Sequence, residues 1–209
     1  MKHLQNSIIL ALMLLGLPIL VNGQVGFSPY VDSLAGQTNT FTTRYAGSTQ
    51  NQLATDFIVN KFTEYGYMPE LQFFRGDTGV NIIATKTGTL YPDKFYIICA
   101  HYDSYAHTDP EQAPGADDNA SGTAAMLEAA RLFYNLPSNY SIKFIAFDEE
   151  ESGLFGSIYF AEQASQAGME IEGVINLDMI AFTSDDDYTY DLCTENNTSQ
   201  LTLDFSSSA

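Results

Sequence analysis

Short apolar runs alternate along the chain with segments in which apolar residues recur at helical spacing. Five runs predict strands, at 70–74, 79–85, 95–100, 142–147 and 174–177. Three segments predict helices, at 49–65, 121–134 and 154–164. The run at 95–100 is continuously apolar, which is typical of a strand buried on both faces. This alternation predicts an α/β fold with a mostly parallel or mixed sheet flanked by helices.

The N-terminal residues predict an export signal. Lys2 precedes an apolar run of 14 residues at 8–21, which is shorter than the roughly 20 residues needed to span a bilayer. Val21 and Gly23 suit the residues that precede a signal-peptidase cleavage site. We therefore expect a signal peptide at 1–23 and a mature domain at 24–209. The localisation would be secreted or periplasmic, without stable membrane association after cleavage; an uncleaved anchor is the alternative.

The charge of the chain excludes some classes of partner. The 209 residues include 26 Asp and Glu against 8 Lys and Arg, which gives a formal net charge of −18. Such a chain is repelled by phosphate backbones, so nucleic-acid binding is not expected. Two Cys residues are too few for a disulfide scaffold or a four-Cys zinc site. Any metal site must therefore rely mainly on His and carboxylate groups.

Titratable residues follow the predicted strands at the points where those strands end. His101 and Asp103 follow the run at 95–100, and Asp178 follows the last predicted strand. Four acidic residues at 148–151 follow the run at 142–147. Sites in open α/β sheets form outside the carboxyl ends of the strands, and zinc accepts both His nitrogen and carboxylate oxygen. The pattern predicts a carboxylate-rich hydrolytic metal site.

Four segments carry a more specific signal. They read AHYDS at 100–104, PGADDNASG at 114–122, EESGLFGS at 150–157 and NLDMI at 176–180. In this order and spacing they resemble the co-catalytic zinc aminopeptidases of the bacterial leucyl aminopeptidase family. The resemblance implies a zinc-exopeptidase-like fold, two zinc ions, peptide substrates, and removal of N-terminal residues by a metal-bound water.

The resemblance also implies roles for individual residues. The metal ligands of the family match His101, Asp117, Glu151 and Asp178. His101 and Asp178 would bind one zinc and Glu151 the other, while Asp117 would bridge the two, with a cis peptide bond between Asp117 and Asp118.

Two further carboxylates match family residues that do not bind the metal. Glu150 resembles the general base, and Asp103 resembles the carboxylate that orients the imidazole of His101. A carboxylate in that position fixes the tautomer of a His ligand and its ring orientation.

One departure from the family concerns the second zinc. The family supplies a second His ligand far beyond the NLDM aspartate, but this chain has His only at 3, 101 and 107. Family members also continue for several further strands and helices. We therefore expect a copy lacking C-terminal strands and helices, with a weak or empty second zinc site and an exposed sheet edge.

Alternative interpretations stay open at this point. A glutaminyl cyclase-like acyl transferase and a carboxypeptidase of the same clan share the fold, and a non-catalytic metal-binding fragment is a third alternative. Outside the motifs, we expect Glu149 to be structural, His107 to be solvated and Cys99 to be an inert core thiol. The sequence does not indicate an oligomeric state.

Overall fold

The computed structural model describes residues 27–36 and 41–181. The predicted signal peptide therefore lies outside the described residues. The helices are α1 (Phe27–Leu34), α2 (Thr49–Glu64), α3 (Gly122–Tyr134) and α4 (Phe155–Gln166). The strands are β1 (Glu70–Phe74), β2 (Gly79–Lys86), β3 (Tyr91–His101), β4 (Tyr140–Phe147) and β5 (Glu170–Asn176). An irregular helical turn at Ala116–Ser121 leads directly into α3.

The five strands form one mixed sheet in the order β1-β2-β4-β3-β5. Strand β3 lies parallel to both β4 and β5, whereas β2 pairs antiparallel with β1 and β4. Strands β3 and β4 are central, which explains their nearly continuous apolar sequences. The predicted mixed α/β sheet flanked by helices is confirmed.

Successive residues of β4 point to opposite faces of the sheet, and each face has its own helices. Phe144 is fully buried and contacts the rings of Tyr67 and Phe133, on the face covered by α2 and α3. Phe147 contacts Phe160 of α4 on the other face. The sheet is therefore the middle layer of three.

The face beneath α4 is incompletely covered at β5. Val174 pairs with Ile97 of β3, and Ile171 pairs with Phe95. Val174 and Ile171 are nevertheless 52% and 40% exposed. Apolar side chains of the last strand in the described sheet thus remain in contact with solvent.

Some element bounds differ from those predicted. Strand β3 begins at Tyr91 rather than at 95, and β5 begins at Glu170 rather than at 174. Both extensions contain exposed polar residues, so apolar patterning gives no signal for them. Helix α1 was not predicted. Among the described residues, no helix has the length and apolarity required to cross a membrane.

Candidate metal centre

Parallel strands bring three of the predicted site segments to one edge of the sheet. His101 is the last residue of β3, Glu150 lies three residues beyond β4, and Asp178 lies two residues beyond β5. The turn at Ala116–Ser121 places Asp118 against the same edge. This is the edge at which the sequence predicts a site, outside the carboxyl ends of the strands.

Three side chains converge closely enough to hold one metal ion. The Nε2 atom of His101 lies 3.1 Å from Asp118 Oδ1 and 3.7 Å from Asp178 Oδ1. Metal–ligand bonds of 2.0–2.2 Å in a tetrahedral zinc site separate neighbouring ligand atoms by about 3.3 Å. The donor set of one imidazole and two carboxylates, together with its spacing, therefore fits zinc.

Asp103 links His101 to the segment that carries Glu150 and Glu151. Its fully buried carboxylate lies 3.3 Å from His101 Nδ1 and accepts the backbone N–H groups of Glu150 at 3.1 Å and Glu151 at 3.2 Å. A proton on Nδ1 would face Asp103 and leave the Nε2 lone pair available to a metal. Nδ1 also lies 3.2 Å from the backbone carbonyl of Asp103, so Asp103 fixes both the imidazole and the start of the Glu150–Glu151 segment.

The concentration of negative charge alters the protonation of the site. Burial alone would lower the pKa of His101, but hydrogen bonds to Asp103 and Asp178 and the charge of Glu150 raise it to about 10. Burial, followed by the charge of Asp118, raises the pKa of Glu151 to about 7. A cation held beside these groups would favour the metal-binding form of each, which is the neutral imidazole of His101 and the ionised carboxylate of Glu151.

The structure corrects the predicted bridging position by one residue. Asp118, rather than Asp117, lies beside His101, and the cis peptide bond joins Asp118 to Asn119 instead of Asp117 to Asp118. Asp117 instead directs Oδ1 toward the backbone N–H of Ala181, at 2.9 Å. Asp118 has an extended backbone (φ −100°, ψ 93°), so the two consecutive carboxylates point in different directions.

Glu150 and Glu151 lie beside this cluster. Glu150 Oε2 is 3.9 Å from His101 Nε2, and burial raises the pKa of Glu150. The Oε1 atom of Glu151 is buried without a hydrogen-bond partner. A buried, unpartnered carboxylate oxygen is costly, and a second cation beside Glu151 would remove that cost.

Sequence reasoning missed a buried arginine that supports the site. Arg44 is fully buried and donates to the backbone carbonyls of Leu34, Tyr102, Pro114 and Gly115. Burial lowers the pKa of Arg44 to about 10, while the charges of Asp103 and Asp118 oppose that shift. The guanidinium therefore anchors the loop immediately before Asp118. No sequence pattern marks this Arg, because its partners are backbone carbonyls.

Asp148 is a second buried charge behind the site. Its carboxylate accepts the side-chain amide of Asn51 at 3.1 Å and the backbone N–H of Val80 at 3.2 Å. Burial, with the neighbouring charge of Asp103, raises the pKa of Asp148 to about 6. These bonds join the end of β4 to α2 and β2.

Residues outside the motifs match their expected structural roles. Glu149 is buried and forms an ion pair with Arg75, whose guanidinium also stacks on the ring of Phe155. His107 is exposed and contacts the ring of Tyr105. Cys99 is buried, and burial raises the pKa of its thiol to about 12. Cys193 lies outside the described residues.

An apolar cavity of about 300 Å³ adjoins the metal centre. It runs between β3, β5 and α4, with Ile97, Phe160 and Val174 among its apolar lining residues. His101, Glu150 and Asp178 form its polar end. One side of the metal centre therefore faces an apolar surface.

Comparisons with known proteins give a family match and several relatives. The sequence pattern of peptidase family M28 matches residues 81–208. Aminopeptidase YwaD of Bacillus subtilis is 41% identical over 114 residues, which are 53% of this chain and 24% of that protein. The chain spans about a quarter of the length of the curated relatives it matches.

Solved structures share the fold at lower identity. A leucine aminopeptidase precursor from Bacteroides thetaiotaomicron superposes with a TM-score of 0.62 at 20% identity, covering 78% of this chain and 65% of that one. A glutaminyl cyclase from the same organism gives a TM-score of 0.61 at 21% identity, covering 76% of this chain and 63% of that one. At such identities the likeness concerns the fold alone.

Proposed function

Because the chain belongs to peptidase family M28, we propose that it is a zinc-dependent aminopeptidase that removes N-terminal residues from peptides. The observation that carries this proposal is the convergence of His101, Asp118 and Asp178, with the Glu150 carboxylate 3.9 Å from the same imidazole nitrogen. Relatives named as a zinc metalloprotease and an aminopeptidase support the same activity.

His101, Asp118 and Asp178 would hold the zinc ion. When bound, zinc supplies Lewis-acid polarisation of a carbonyl and lowers the pKa of a water molecule. Asp103 contributes by keeping the imidazole of His101 aligned. Asp118 and Asp178 contribute negative charge, which neutralises the ion within a partly desolvated site.

Glu150 would act as the general base. Its carboxylate is close to the ligand cluster without belonging to it, and its backbone N–H is fixed by Asp103. Burial raises the pKa of Glu150, which brings a carboxyl group closer to the range suited to proton transfer near neutral pH. Glu150 would accept a proton from the attacking water and pass it to the leaving amine.

Glu151 would contribute to a second, weaker zinc site shared with Asp118. Burial and then the negative charge of Asp118 raise the pKa of Glu151, and one buried oxygen of Glu151 lacks a hydrogen-bond partner. Within the described residues, the only other imidazole besides His101 is that of His107, on an exposed loop. Two protein carboxylates without an imidazole give a weaker site than the set around His101.

Substitution of the general base tests the proposal. Glu150→Gln should lower the rate of leucine anilide hydrolysis by about 10²–10⁴-fold, because the amide cannot accept the proton. Zinc affinity should stay close to native, since Glu150 is not in the ligand cluster. Glu162→Gln, on an exposed position of α4, removes the same charge and should retain full activity. Undiminished hydrolysis by Glu150→Gln would refute the assignment.

A glutaminyl cyclase-like acyl transfer is a second candidate, because glutaminyl cyclases are among the solved structures with this fold. Assaying cyclisation of an N-terminal glutamine against hydrolysis of an aminoacyl anilide separates the two. Cyclisation without hydrolysis would favour the acyl transferase. Saturable zinc binding with neither reaction would favour a non-catalytic metal-binding role.

We also propose that the protein is exported. The support is the basic start followed by the apolar run at 8–21. Expression with this segment should yield a processed chain outside the cytoplasm, beginning at Gln24. A chain retained in the cytoplasm with residues 1–23 intact would contradict export.

A further inference from the structure

The segment at 177–181 carries Asp178. Side chains of the irregular helical turn at Ala116–Ser121 form hydrogen bonds with the backbone of this segment. The N–H of Ala181 donates to Asp117 Oδ1 at 2.9 Å, and the N–H of Ile180 donates to Ser121 Oγ at 3.1 Å. Asn119 accepts the N–H of Met179 at 3.4 Å and donates to the carbonyl of Leu177 at 2.9 Å.

Burial of apolar side chains contributes little to holding this segment. Met179 and Ile180 are 52% and 44% exposed. Met179 also has a φ of 49°, in a region that non-glycine residues seldom adopt. The position of Asp178 therefore depends mainly on backbone hydrogen bonds, and two of their acceptors belong to Asp117 and Ser121.

Asp117 and Ser121 support one another. The hydroxyl of Ser121 is fully buried, donates to the carbonyl of Asp117 at 2.7 Å and lies 3.1 Å from Asp117 Oδ1. Gly122 follows immediately, and a Cβ atom there would collide with the carbonyl oxygen of Leu177. The absence of that side chain lets the helical turn approach the 177–181 segment closely.

We propose that Asp117 and Ser121 are positioning residues for metal binding, which fix the 177–181 segment so that Asp178 faces His101. The proposal rests on the metal site assigned above and deepens it. Asp117 acts through the backbone of the segment, whereas Asp118 acts through its own carboxylate on the metal. The two consecutive Asp residues thus perform different tasks.

The proposal makes different predictions for two substitutions at one position. Asp117→Ala removes the acceptor for the N–H of Ala181, and should lower zinc affinity about 10-fold, the lower end of the effect expected when a ligand loses its support. Asp117→Asn keeps an oxygen acceptor but loses the negative charge, and should stay within about threefold of native. A direct metal ligand would behave differently, because both substitutions would then weaken zinc binding alike.

The experiment combines zinc titration calorimetry with hydrogen exchange on the zinc-free chain. We compare native protein with Asp117→Ala, Asp117→Asn, Ser121→Ala and Asp178→Ala. Exchange at the Ala181 amide should accelerate in Asp117→Ala but not in Asp117→Asn, and exchange at the Ile180 amide should accelerate in Ser121→Ala. If Asp117→Ala does not fold, Ser121→Ala and Asp117→Asn still provide the comparison.

The possible outcomes separate this proposal from the one on which it rests. Native zinc affinity in Asp117→Ala and Ser121→Ala, with weakened binding in Asp178→Ala, would overturn the positioning roles and leave the metal site intact. Equal losses in Asp117→Ala and Asp117→Asn would overturn them in favour of direct ligation. Unchanged zinc affinity in Asp178→Ala would overturn the metal site itself, and the positioning roles with it.

Discussion

Asp103 illustrates how much of the metal centre depends on a residue that need not touch the metal. Its two carboxylate oxygens serve the imidazole of His101 and the backbone N–H groups of Glu150 and Glu151. No neutral side chain of the same size offers two acceptors. The carboxylate therefore contacts the imidazole of His101 and the backbone of Glu150 and Glu151 from one buried position.

Asp103→Asn should consequently weaken zinc binding by about 10–100-fold, the usual effect of altering the partner of a His ligand. Its amide nitrogen cannot accept the N–H of Glu151. Zinc titration of the variant measures this loss, and Asp109→Asn in the exposed loop provides a charge-matched control. Equal affinities in both variants would show that Asp103 does not orient the site.

The reactivity of the Cys99 thiol tests the burial of β3. With its pKa raised to about 12 by burial, about one thiol in 10⁴ is ionised at pH 8, and only the thiolate reacts rapidly. In a Cys193→Ser background, iodoacetamide should modify the folded chain at least about 100-fold more slowly than the urea-unfolded chain. Comparable rates in the two states would contradict the buried position of Cys99.

At the residue scale, the sequence predicts the residue types of the site better than it predicts the orientations of their side chains. Strand ends locate His101 and Asp178 because parallel strands end together. Asp117 and Asp118 are adjacent residues of the same type, so the sequence does not indicate which of them faces His101. The backbone conformation of the turn determines their orientations. No sequence motif predicts the role of Arg44, because its partners are backbone carbonyl groups, which every residue possesses.

At the scale of elements, apolar runs locate β4 well and β5 poorly. Strand β4 carries a run of buried residues, and its predicted end at Phe147 agrees with the structure. Strand β5 alternates exposed Glu170 and Glu172 with apolar positions, and only its second half was predicted. Burial is weaker along β5 than along β4, and the apolar pattern of β5 is correspondingly less clear.

Phe144 tests the packing of helices on the central strand. It is fully buried against Tyr67 and Phe133, so Phe144→Ala should reduce the free energy of unfolding by about 3–5 kcal/mol. Phe73→Ala on β1, where the ring is 50% exposed, should cost much less. Urea denaturation measures both variants, and similar losses would contradict the assigned core.

At the scale of the whole molecule, an apolar surface coexists with a strong negative charge. Ile171 and Val174 are exposed on β5, while the net charge of −18 opposes the approach of two copies. Salt shortens the range of this repulsion from about 10 Å at 0.1 M to about 3 Å at 1 M. Any association of two copies through the exposed side chains of Ile171 and Val174, here called the β5 surface, should therefore increase with ionic strength.

Val174→Lys should reduce this salt-induced association, because it places a charge in the centre of the exposed apolar surface. Leu53→Lys, at an exposed Leu on α2, introduces the same charge elsewhere. Light scattering at about 0.1 M and 1 M salt measures the average mass of each variant. An equal response in both variants would show that the β5 surface does not mediate association.

The most direct test of the central claim is the rate of leucine anilide hydrolysis as zinc is added stepwise to the zinc-free chain. Activity should rise with occupancy of the site formed by His101, Asp118 and Asp178, disappear with a chelator, and be absent from Asp178→Ala at the same zinc concentration. Hydrolysis that is independent of zinc, or no hydrolysis by the native chain with this site saturated, would contradict the assignment of this chain as a zinc aminopeptidase.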